Sequence, residues 1–397
     1  MDNPLRMLLD LPQQEKAERG LVYTPHEISQ QPATWRMTYA RCGEQRSAIL
    51  PVLSQAGVGR GPTASPTVYL VGAGTSDYIG RALAPLLRQR WGCDVWAVPS
   101  TTLLTDFEDF HFAGRDYLWI SFSRSGDSPE GVALLQRALD QYHGIRHLVV
   151  TCNRQGHMAQ ICSRYQNQAL AVILDDAVND RGLAMTSSFT NMLFAGQCIA
   201  HLSDYEEFGH TAAAISEAGT RFLPSAAEAA ASITTLGCTR ACFVGSGALR
   251  AVADESALKV VELSAGAVTS IAESPLGLRH GPMSSVDGQT VFVAFLSSEA
   301  RRRGYELDLL REIDRKRLGR VRAVVTTQGM DDASPLADYC LALDCPADFP
   351  DFYRPVLDVM LGQLIGLFAS MRSGLKPDQP SPNGAIARVV SPITLYS

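Results

Sequence analysis

The sequence predicts an α/β protein with two tandem open parallel sheets, each flanked by helices in a flavodoxin-like, three-layer αβα arrangement. Short apolar runs typical of buried strands alternate with helical patterns through short loops, as in parallel sheets covered by helices. This rhythm begins near residue 68 and begins again near residue 241, so that VGAGTSDYIGRAL (71–83) and VGSGALRAVADESAL (244–258) occupy equivalent places. A chain of 397 residues is also long enough for two cores.

The elements can be placed from the same patterns. The predicted strands cover 68–72, 94–99, 117–122, 147–152 and 169–174 in the first half, and 241–245, 290–296, 322–326 and 340–343 in the second. A short helical arm and an amphipathic helix over 32–55 precede them, and a segment rich in glycine and proline, 57–66, ends that helix. We expect an N-terminal helical arm (1–56), two α/β domains (57–215 and 216–375) and a C-terminal tail (376–397) that contributes to the site, with an element only at 386–390.

Composition excludes several classes of function. The chain is 46% hydrophobic and 19% charged with a net charge of −6, and it has no block of Lys and Arg, which argues against a nucleic-acid partner. The N-terminus has polar and acidic residues where a signal peptide would be apolar, and no apolar stretch is expected to reach the roughly eighteen residues that a membrane span requires, so a cytoplasmic location is predicted. Nine irregularly spaced cysteines are interpreted as reduced, buried thiols, and no metal site is expected.

The stretch SFSRSGDSPE (121–130) is the first candidate site. It follows an apolar strand and precedes a helical pattern, so its hydroxyls, backbone N–H groups and helix N-terminus can converge on one anion. Ser123, Ser125 and Ser128 supply the hydroxyls, and Gly126 lets the backbone approach a ligand. The alternative is a turn in which Asp127 or Ser128 merely caps the helix.

A second loop strengthens the phosphate interpretation. GAGTS (72–76) follows the first strand, but a dinucleotide fingerprint would need a third glycine where Asp77 stands. Thr75 and Ser76 instead add hydroxyls at a neighbouring strand end, which favours phosphate binding over capping alone.

Acid and base groups occur in the second half. Glu255, Lys259 and Glu262 are spaced by four and three, so they project from one face of a helix. His280 lies in the sequence RHGP, which predicts a tight loop. Each could be structural, as a solvated charged face or a loop histidine, but together they form the acid/base set that proton transfer between adjacent sugar carbons requires.

These motifs resemble the sugar isomerase (SIS) family and, within it, the AgaS-type galactosamine-6-phosphate deaminase/isomerases, which are similar to the isomerase domain of glucosamine-6-phosphate synthase. The resemblance runs from about Thr24 onward. It rests on GTS (74–76), SFSRSGDS (121–128), ESALKVVEL (255–263), LRHGP (278–282) and DQP (378–380).

The resemblance implies two SIS domains and specific residue roles. It assigns phosphate binding to Ser76, Ser123, Ser125 and Ser128, and proton transfer between C2 and C1 to Glu262. His280 would open the sugar ring, reaching in from a neighbouring subunit of a homodimer or larger homo-oligomer. The expected reaction converts galactosamine 6-phosphate to tagatose 6-phosphate and ammonia without a cofactor.

One position departs from the synthase pattern. Where the synthase tail carries a lysine able to form a Schiff base, this chain has Arg388. Because arginine stays protonated, Arg388 is expected to bind substrate oxygens instead. Two alternatives stay open: a phosphosugar aldose-ketose isomerase that releases no ammonia, and a non-catalytic phosphosugar-binding regulator.

Overall fold

A computed structural model of the chain describes residues 3–61, 65–391 and 393–396. Part of the predicted linker (62–64) and two tail positions (392 and 397) therefore lie outside the described residues. The chain forms two units. We call them the N-sheet unit (Ala33–Asp180, Ser187–Ala212 and Ala387–Ser397) and the C-sheet unit (Met1–Pro32, Arg181–Thr186 and Ala213–Ile386).

Helices and strands alternate through most of the chain. Up to residue 200 the order is α1 (Pro4–Leu9), α2 (Gln13–Arg19), α3 (Thr24–Ala56), β1 (Thr67–Gly72), α4 (Thr75–Trp91), β2 (Val95–Pro99), α5 (Ser100–Thr105), α6 (Phe107–Phe110), β3 (Tyr117–Ser123), α7 (Pro129–Gln141), β4 (Ile145–Thr151), α8 (His157–Arg164), β5 (Ala169–Ile173) and α9 (Ser187–Ala200). It continues with α10 (Tyr205–Thr235), β6 (Arg240–Gly245), α11 (Ala248–Leu263), β7 (Thr269–Glu273), α12 (Pro275–Leu278), β8 (Thr290–Phe295), α13 (Ala300–Arg315), β9 (Val321–Thr327), β10 (Tyr339–Leu343) and α14 (Pro355–Arg372).

Each unit contains one five-stranded sheet, and the two sheets have the same strand order. The N-sheet runs β2-β1-β3-β4-β5 and the C-sheet runs β7-β6-β8-β9-β10. All neighbouring strands are parallel. This is the flavodoxin-like order, in which loops at the carboxyl ends of the strands meet at one edge of the sheet. The predicted fold class is confirmed.

The sequence pattern located the central strands well because they are continuous apolar runs. Strand β3 is buried from Tyr117 to Phe122, and β8 is buried throughout. Strand β7 was missed: its residues TSIAE are only partly buried, because it pairs with one neighbour at the edge of the sheet. The element predicted at 386–390 is wrong, since these residues form neither helix nor strand.

The predicted break between the short helical arm and the amphipathic helix over 32–55 is also wrong. Helix α3 is continuous from Thr24 and contains Pro32 within it. Its start is held by Asp378, whose carboxylate accepts hydrogen bonds from the backbone N–H groups of Val22 (2.7 Å) and Thr24 (2.7 Å). The aspartate of the DQP motif therefore stabilises a helix N-terminus.

Two further expectations need correction. Helix α14 is long and apolar enough to pass for a membrane span by length and composition, although 89% of that window is buried inside the protein. All nine cysteines are unpaired thiols, but Cys340 is exposed, and Cys93 and Cys238 are only partly buried.

The core of the N-sheet contains an unusual histidine. His147 lies on β4, fully buried, and its ring packs edge-on against Trp119 with centroids 5.5 Å apart. Within the described residues neither ring nitrogen has a hydrogen-bond partner. Burial, assisted by the charge of Arg146, lowers the pKa of His147 to about 3.

This histidine should make the fold sensitive to acid. The unfolded chain takes up a proton at His147 below about pH 6.5 while the folded chain does not, so stability is fully present above that pH. Between that pH and the folded pKa of about 3, the group should remove up to about 1.4 kcal/mol of stability per pH unit. We expect His147→Leu to reduce the fall in thermal midpoint between pH 8 and pH 5. The matched control is His143→Leu, at an exposed position. If the thermal midpoint falls equally in the two variants between pH 8 and pH 5, His147 is not the cause of the acid sensitivity.

Candidate active site

The first cluster, which we call the serine loop, covers residues 123–128 between β3 and α7 in the N-sheet unit. Gly126 has a positive φ of 69°, and a Cβ there would lie 3.2 Å from Cα of Gly156. Only glycine suits this turn and close approach.

The three predicted serines share one arrangement. The Oγ atoms of Ser123, Ser125 and Ser128 accept backbone N–H hydrogen bonds from Gly126 (3.1 Å), Asp127 (3.2 Å) and Gly131 (3.3 Å), respectively. Ser128 is the N-cap of α7, as the capping interpretation predicted. A hydroxyl that accepts a hydrogen bond still has its own proton to donate. Capping and anion binding are therefore compatible.

The GAGTS loop adds a second helix N-terminus at the same sheet edge. Thr75 and Ser76 are buried at the start of α4, whose N-cap Gly74 has no side chain to cap it. Strands β1 and β3 are parallel neighbours, so the loops that follow them leave the sheet on the same side.

Sequence reasoning missed the residues that support the serine loop. Asn153, two residues beyond β4, donates from Nδ2 to the carbonyl of Ser125 (2.9 Å). Oδ1 of Asp127 accepts a hydrogen bond from the backbone N–H of His157 (2.9 Å). The same oxygen lies 2.7 Å from the ring Nδ1 of His157. These residues could have been predicted from the polar run TCNRQGH (151–157), which follows β4, the strand adjacent to β3.

Arg388 lies in this unit and is tied to the same loop. Its guanidinium donates to the carbonyl of Asp180 (2.6 Å) and to Oδ1 of Asn179 (2.5 Å). Its own carbonyl accepts from the guanidinium of Arg124 (2.6 Å), a buried side chain within the serine loop. The tail is thus anchored at Arg388 by both its backbone and its side chain.

The second cluster, which we call the carboxylate-lysine cluster, is Glu255, Lys259 and Glu262 on α11 of the C-sheet unit. The ammonium of Lys259 contacts Oε1 of Glu255 (3.4 Å) and Oε2 of Glu262. Lys259 and Glu255 are fully buried, whereas the Glu262 side chain is 31% exposed. The alternative of a solvated charged face does not describe this cluster.

Charge pairing keeps the lysine protonated. Burial alone would lower the pKa of Lys259, but the carboxylates of Glu255 and Glu262 outweigh burial and raise it. A permanently charged ammonium therefore holds the Glu262 carboxylate in place.

Close helix packing fixes the position of this cluster. A Cβ added at Gly362 of α14 would lie 2.2 Å from Oγ of Ser256, and one at Gly366 would lie 2.9 Å from the carbonyl of Lys259. The backbone of α14 therefore approaches α11 beside the lysine, and larger residues at these two glycines would force the helices apart.

His280 lies on an exposed turn of the same unit. Its backbone N–H donates to the carbonyl of Gly277 (3.0 Å), and the next residue, Gly281, has a φ of 121° that favours glycine. Within the described residues no hydrogen bond or ion pair joins the His280 side chain to Glu262. The tight loop predicted from RHGP is present.

Glu273, which precedes the RHGP sequence by a few residues, is another carboxylate that could act as a base, but its contacts make it a poor one. Burial would raise its pKa, but a hydrogen bond from the backbone N–H of Ser274 (2.6 Å) and the charge of Arg250 outweigh that effect and lower it. Its carboxylate is also paired with the Arg250 guanidinium. Both carboxylates are partly exposed and paired with a cation, but Glu273 also accepts the backbone N–H of Ser274, whereas Lys259 is the one partner of the Glu262 carboxylate within the described residues. Glu262 is therefore the better candidate. Across the described ranges, no group of three or more His, Cys, Asp or Glu side chains could hold a metal ion.

Comparison with known proteins places these features in a family, although no family model matches the chain. A protein of Streptomyces coelicolor, provisionally named D-galactosamine-6-phosphate deaminase AgaS, is 37% identical over 95% of this chain and 96% of its own length. D-galactosamine-6-phosphate deaminase AgaS of Escherichia coli is 33% identical over 94% of this chain and 95% of its own.

A solved structure shows the same relationship. Tagatose-6-phosphate ketose/aldose isomerase from Escherichia coli is 32% identical, with a TM-score of 0.82 over 89% of this chain and 95% of that one. The resemblance inferred from the motifs is confirmed by relatives that align over nearly the whole chain. The chain therefore belongs to the AgaS family of sugar isomerase (SIS) enzymes.

Proposed function

We propose that this enzyme is a D-galactosamine-6-phosphate deaminase/isomerase, which converts galactosamine 6-phosphate and water to tagatose 6-phosphate and ammonia. The names of the relatives support this substrate. The observation that carries the chemistry is the partly exposed carboxylate of Glu262, held by the buried ammonium of Lys259.

In the proposed reaction His280 opens the sugar ring, and Glu262 removes the proton from C2 of the aldehyde form. Glu262 returns a proton to C1, which gives a hydroxymethyl group at C1 and an imine at C2. Water then adds to the imine, the carbon–nitrogen bond breaks, and ammonia and the ketose leave. No metal or organic cofactor is required in this scheme.

The serine loop, together with Thr75 and Ser76, would bind the 6-phosphate and so hold one end of the substrate. The support is a set of hydroxyls and helix N-termini at one sheet edge. Arg388, held beside this loop through Arg124, would bind substrate oxygens rather than form an imine.

A second candidate function is isomerisation of a phosphosugar without loss of nitrogen, because a 32% identical structure is named a tagatose-6-phosphate ketose/aldose isomerase. The two candidates share the acid/base residues and differ in the product. Incubating the enzyme with galactosamine 6-phosphate, and separately with tagatose 6-phosphate, distinguishes them. Ammonia release from the first supports the deaminase, whereas aldose formation from the second without any ammonia from the first supports the isomerase.

Replacing the proposed base should abolish turnover without unfolding the protein. Glu262→Gln keeps the side-chain volume but cannot take the C2 proton, so we expect kcat to fall on the order of a hundredfold or more with KM nearly unchanged. The contrasting variant is Glu255→Gln, which replaces a buried carboxylate that pairs with Lys259 by a neutral carboxamide. Because Glu255 is buried and Glu262 is partly exposed, Glu255→Gln should lower the thermal midpoint more than Glu262→Gln does. Turnover of Glu262→Gln within a few-fold of wild type would show that Glu262 is structural.

Weakening the serine loop should raise KM. Ser125→Ala combined with Ser128→Ala removes two hydroxyl donors, and one lost hydrogen bond to a charged group, at about 1.5 kcal/mol, already corresponds to about tenfold in affinity. Inhibition by inorganic phosphate should weaken in parallel.

Loss of the helix cap can be separated from loss of the anion site. Ser128→Asp keeps a good N-cap residue but places a negative charge in the loop. We expect this variant to retain its thermal midpoint while losing affinity for phosphorylated substrate. Unchanged KM values in both variants would leave the loop as a helix cap only.

We further propose a cytoplasmic homodimer, or a larger assembly, in which His280 of one subunit completes the site of another. The exposure of His280 on its turn supports this arrangement. Inactive Glu262→Gln and His280→Ala proteins, unfolded and reassembled together, should regain up to about a quarter of wild-type activity, since about half the chains form mixed dimers with one intact site.

The control for subunit mixing is Glu262→Gln reassembled with the Glu262→Gln/His280→Ala double variant, which can form no intact site. Mixed dimers of the two single variants that show no more activity than this control would mean that each chain supplies its own histidine.

A further inference from the structure

The C-sheet unit contains a counterpart of the serine loop. Strand β8 is the central strand of the C-sheet, as β3 is of the N-sheet. Each lies beside the first strand of its own sheet, β6 and β1 respectively. Residues 296–299 connect β8 to α13, as the serine loop connects β3 to α7. This connection includes two hydroxyls, Ser297 and Ser298.

The neighbouring glycine loops also correspond. The helix N-cap residues Gly74 and Gly247 have almost the same conformation, with φ and ψ of 53° and −125° in the first and 58° and −127° in the second. Thr75 follows Gly74, but Ala248 follows Gly247, so the second loop has lost this hydroxyl. The backbone of the cradle is retained while part of its hydrogen-bonding surface is missing.

A carboxylate of the chain itself is bound where the C-sheet counterpart would receive an anion. Oδ1 of Asp351 accepts from the backbone N–H (2.9 Å) and the hydroxyl (3.0 Å) of Ser298, and Oδ2 accepts from the hydroxyl of Ser297. The guanidinium groups of Arg302 and Arg354 each lie 3.4 Å from this carboxylate. Backbone N–H, hydroxyl and arginine donors together form the kind of donor set that binds phosphate.

The surroundings show that Asp351 is integral to this loop. Its side chain is only 4% exposed, and Arg354 is fully buried. Arg354 also donates to the carbonyl of Leu296 (2.7 Å), which immediately precedes the two serines. Arg302 reaches across to the glycine loop, where a Cβ on Gly247 would lie 3.2 Å from one of its nitrogens. Arg302, which contacts the carboxylate, therefore also packs beside the glycine loop.

We infer that Asp351 is a built-in substitute for phosphate, which fills the second anion site of the chain and leaves one site for phosphosugar per subunit. The inference rests on the proposed function only in treating the serine loop as the first phosphate site. Removing the carboxylate should leave the hydroxyl of Ser297 and the backbone N–H of Ser298 without this acceptor, and Arg302 and Arg354 with one carboxylate partner fewer. Arg354 keeps its pair with Asp358 (2.8 Å), and the hydroxyl of Ser298 keeps the carbonyl of Phe349 (2.8 Å). That vacancy should accept a small anion from solution.

The test uses the full-length variant Asp351→Ala, with inorganic phosphate and formate as probes and chloride at matched ionic strength as the reference. By equilibrium dialysis we expect wild type to bind about one phosphate per chain and the variant about two. Phosphate and formate should each raise the thermal midpoint of Asp351→Ala by several degrees more than that of wild type.

The matched control is Asp332→Ala. It removes the carboxylate that pairs with Arg303, the residue that follows Arg302 on α13. It should lose stability without gaining an anion site. If Asp351→Ala does not fold in chloride, refolding in formate or phosphate decides the question, since recovery with these anions supports the inference.

A folded Asp351→Ala protein that binds no more phosphate than wild type would overturn the inference, as would an unfolded one that neither anion rescues. Failure of the proposed function is recognised separately. Adding Ser128→Asp to the variant weakens the first site, so any remaining phosphate binding reports the C-sheet site alone. Wild type that binds no phosphate would count against the serine loop and not against the role of Asp351.

Discussion

The ion pairs of the buried Lys259 ammonium are the interactions on which the proposed catalytic centre depends. A lone charge in that position would be strongly destabilising, and removing one partner from a buried ion pair typically costs about 3–5 kcal/mol. Glu255, fully buried, supplies one counter-charge, and Glu262 supplies the other while keeping 31% of its side chain exposed. In the proposed mechanism, stability and reactivity are thus divided between two carboxylates two turns apart on α11. The backbone of α14 packs closely against α11 at Gly362 and Gly366, beside the lysine, whose side chain is 1% exposed.

The two units show how one turn can serve two purposes. Both have the same strand order and the same glycine conformation before the first helix. In the N-sheet unit the strand-to-helix loop has serines whose hydroxyl protons remain available for a ligand. In the C-sheet unit the corresponding loop is engaged by Asp351, and its helix is capped internally by Glu299, which accepts from the N–H groups of Arg301 (3.0 Å) and Arg302 (3.2 Å). The second loop therefore contributes to folding where the first is suited to binding.

Much of this architecture could be predicted from the sequence, and the exceptions have physical reasons. Central strands such as β3 and β8 are buried on both faces and give unbroken apolar runs. Strand β7 is partly exposed at a sheet edge and gives no such run. The spacing of Glu255, Lys259 and Glu262 predicted a shared helix face, but not that the face is buried, since burial depends on a helix about a hundred residues later in the chain. Contacts between distant segments, such as Asp351 with Ser298 or Arg124 with Arg388, leave no local pattern to read.

The hydrogen bonds within the serine loop have a consequence for the ionic form of a ligand. Each of the three Oγ atoms already accepts one backbone N–H, which uses one of its two lone pairs and leaves its own proton to donate. A phosphate ester exchanges its last proton near pH 6. The monoanion brings a hydroxyl that needs an acceptor, whereas the dianion brings only acceptors and one more negative charge. As the proposed phosphate site, this loop would favour the dianion over the monoanion of the same sugar phosphate, and its occupancy would follow the abundance of the dianion.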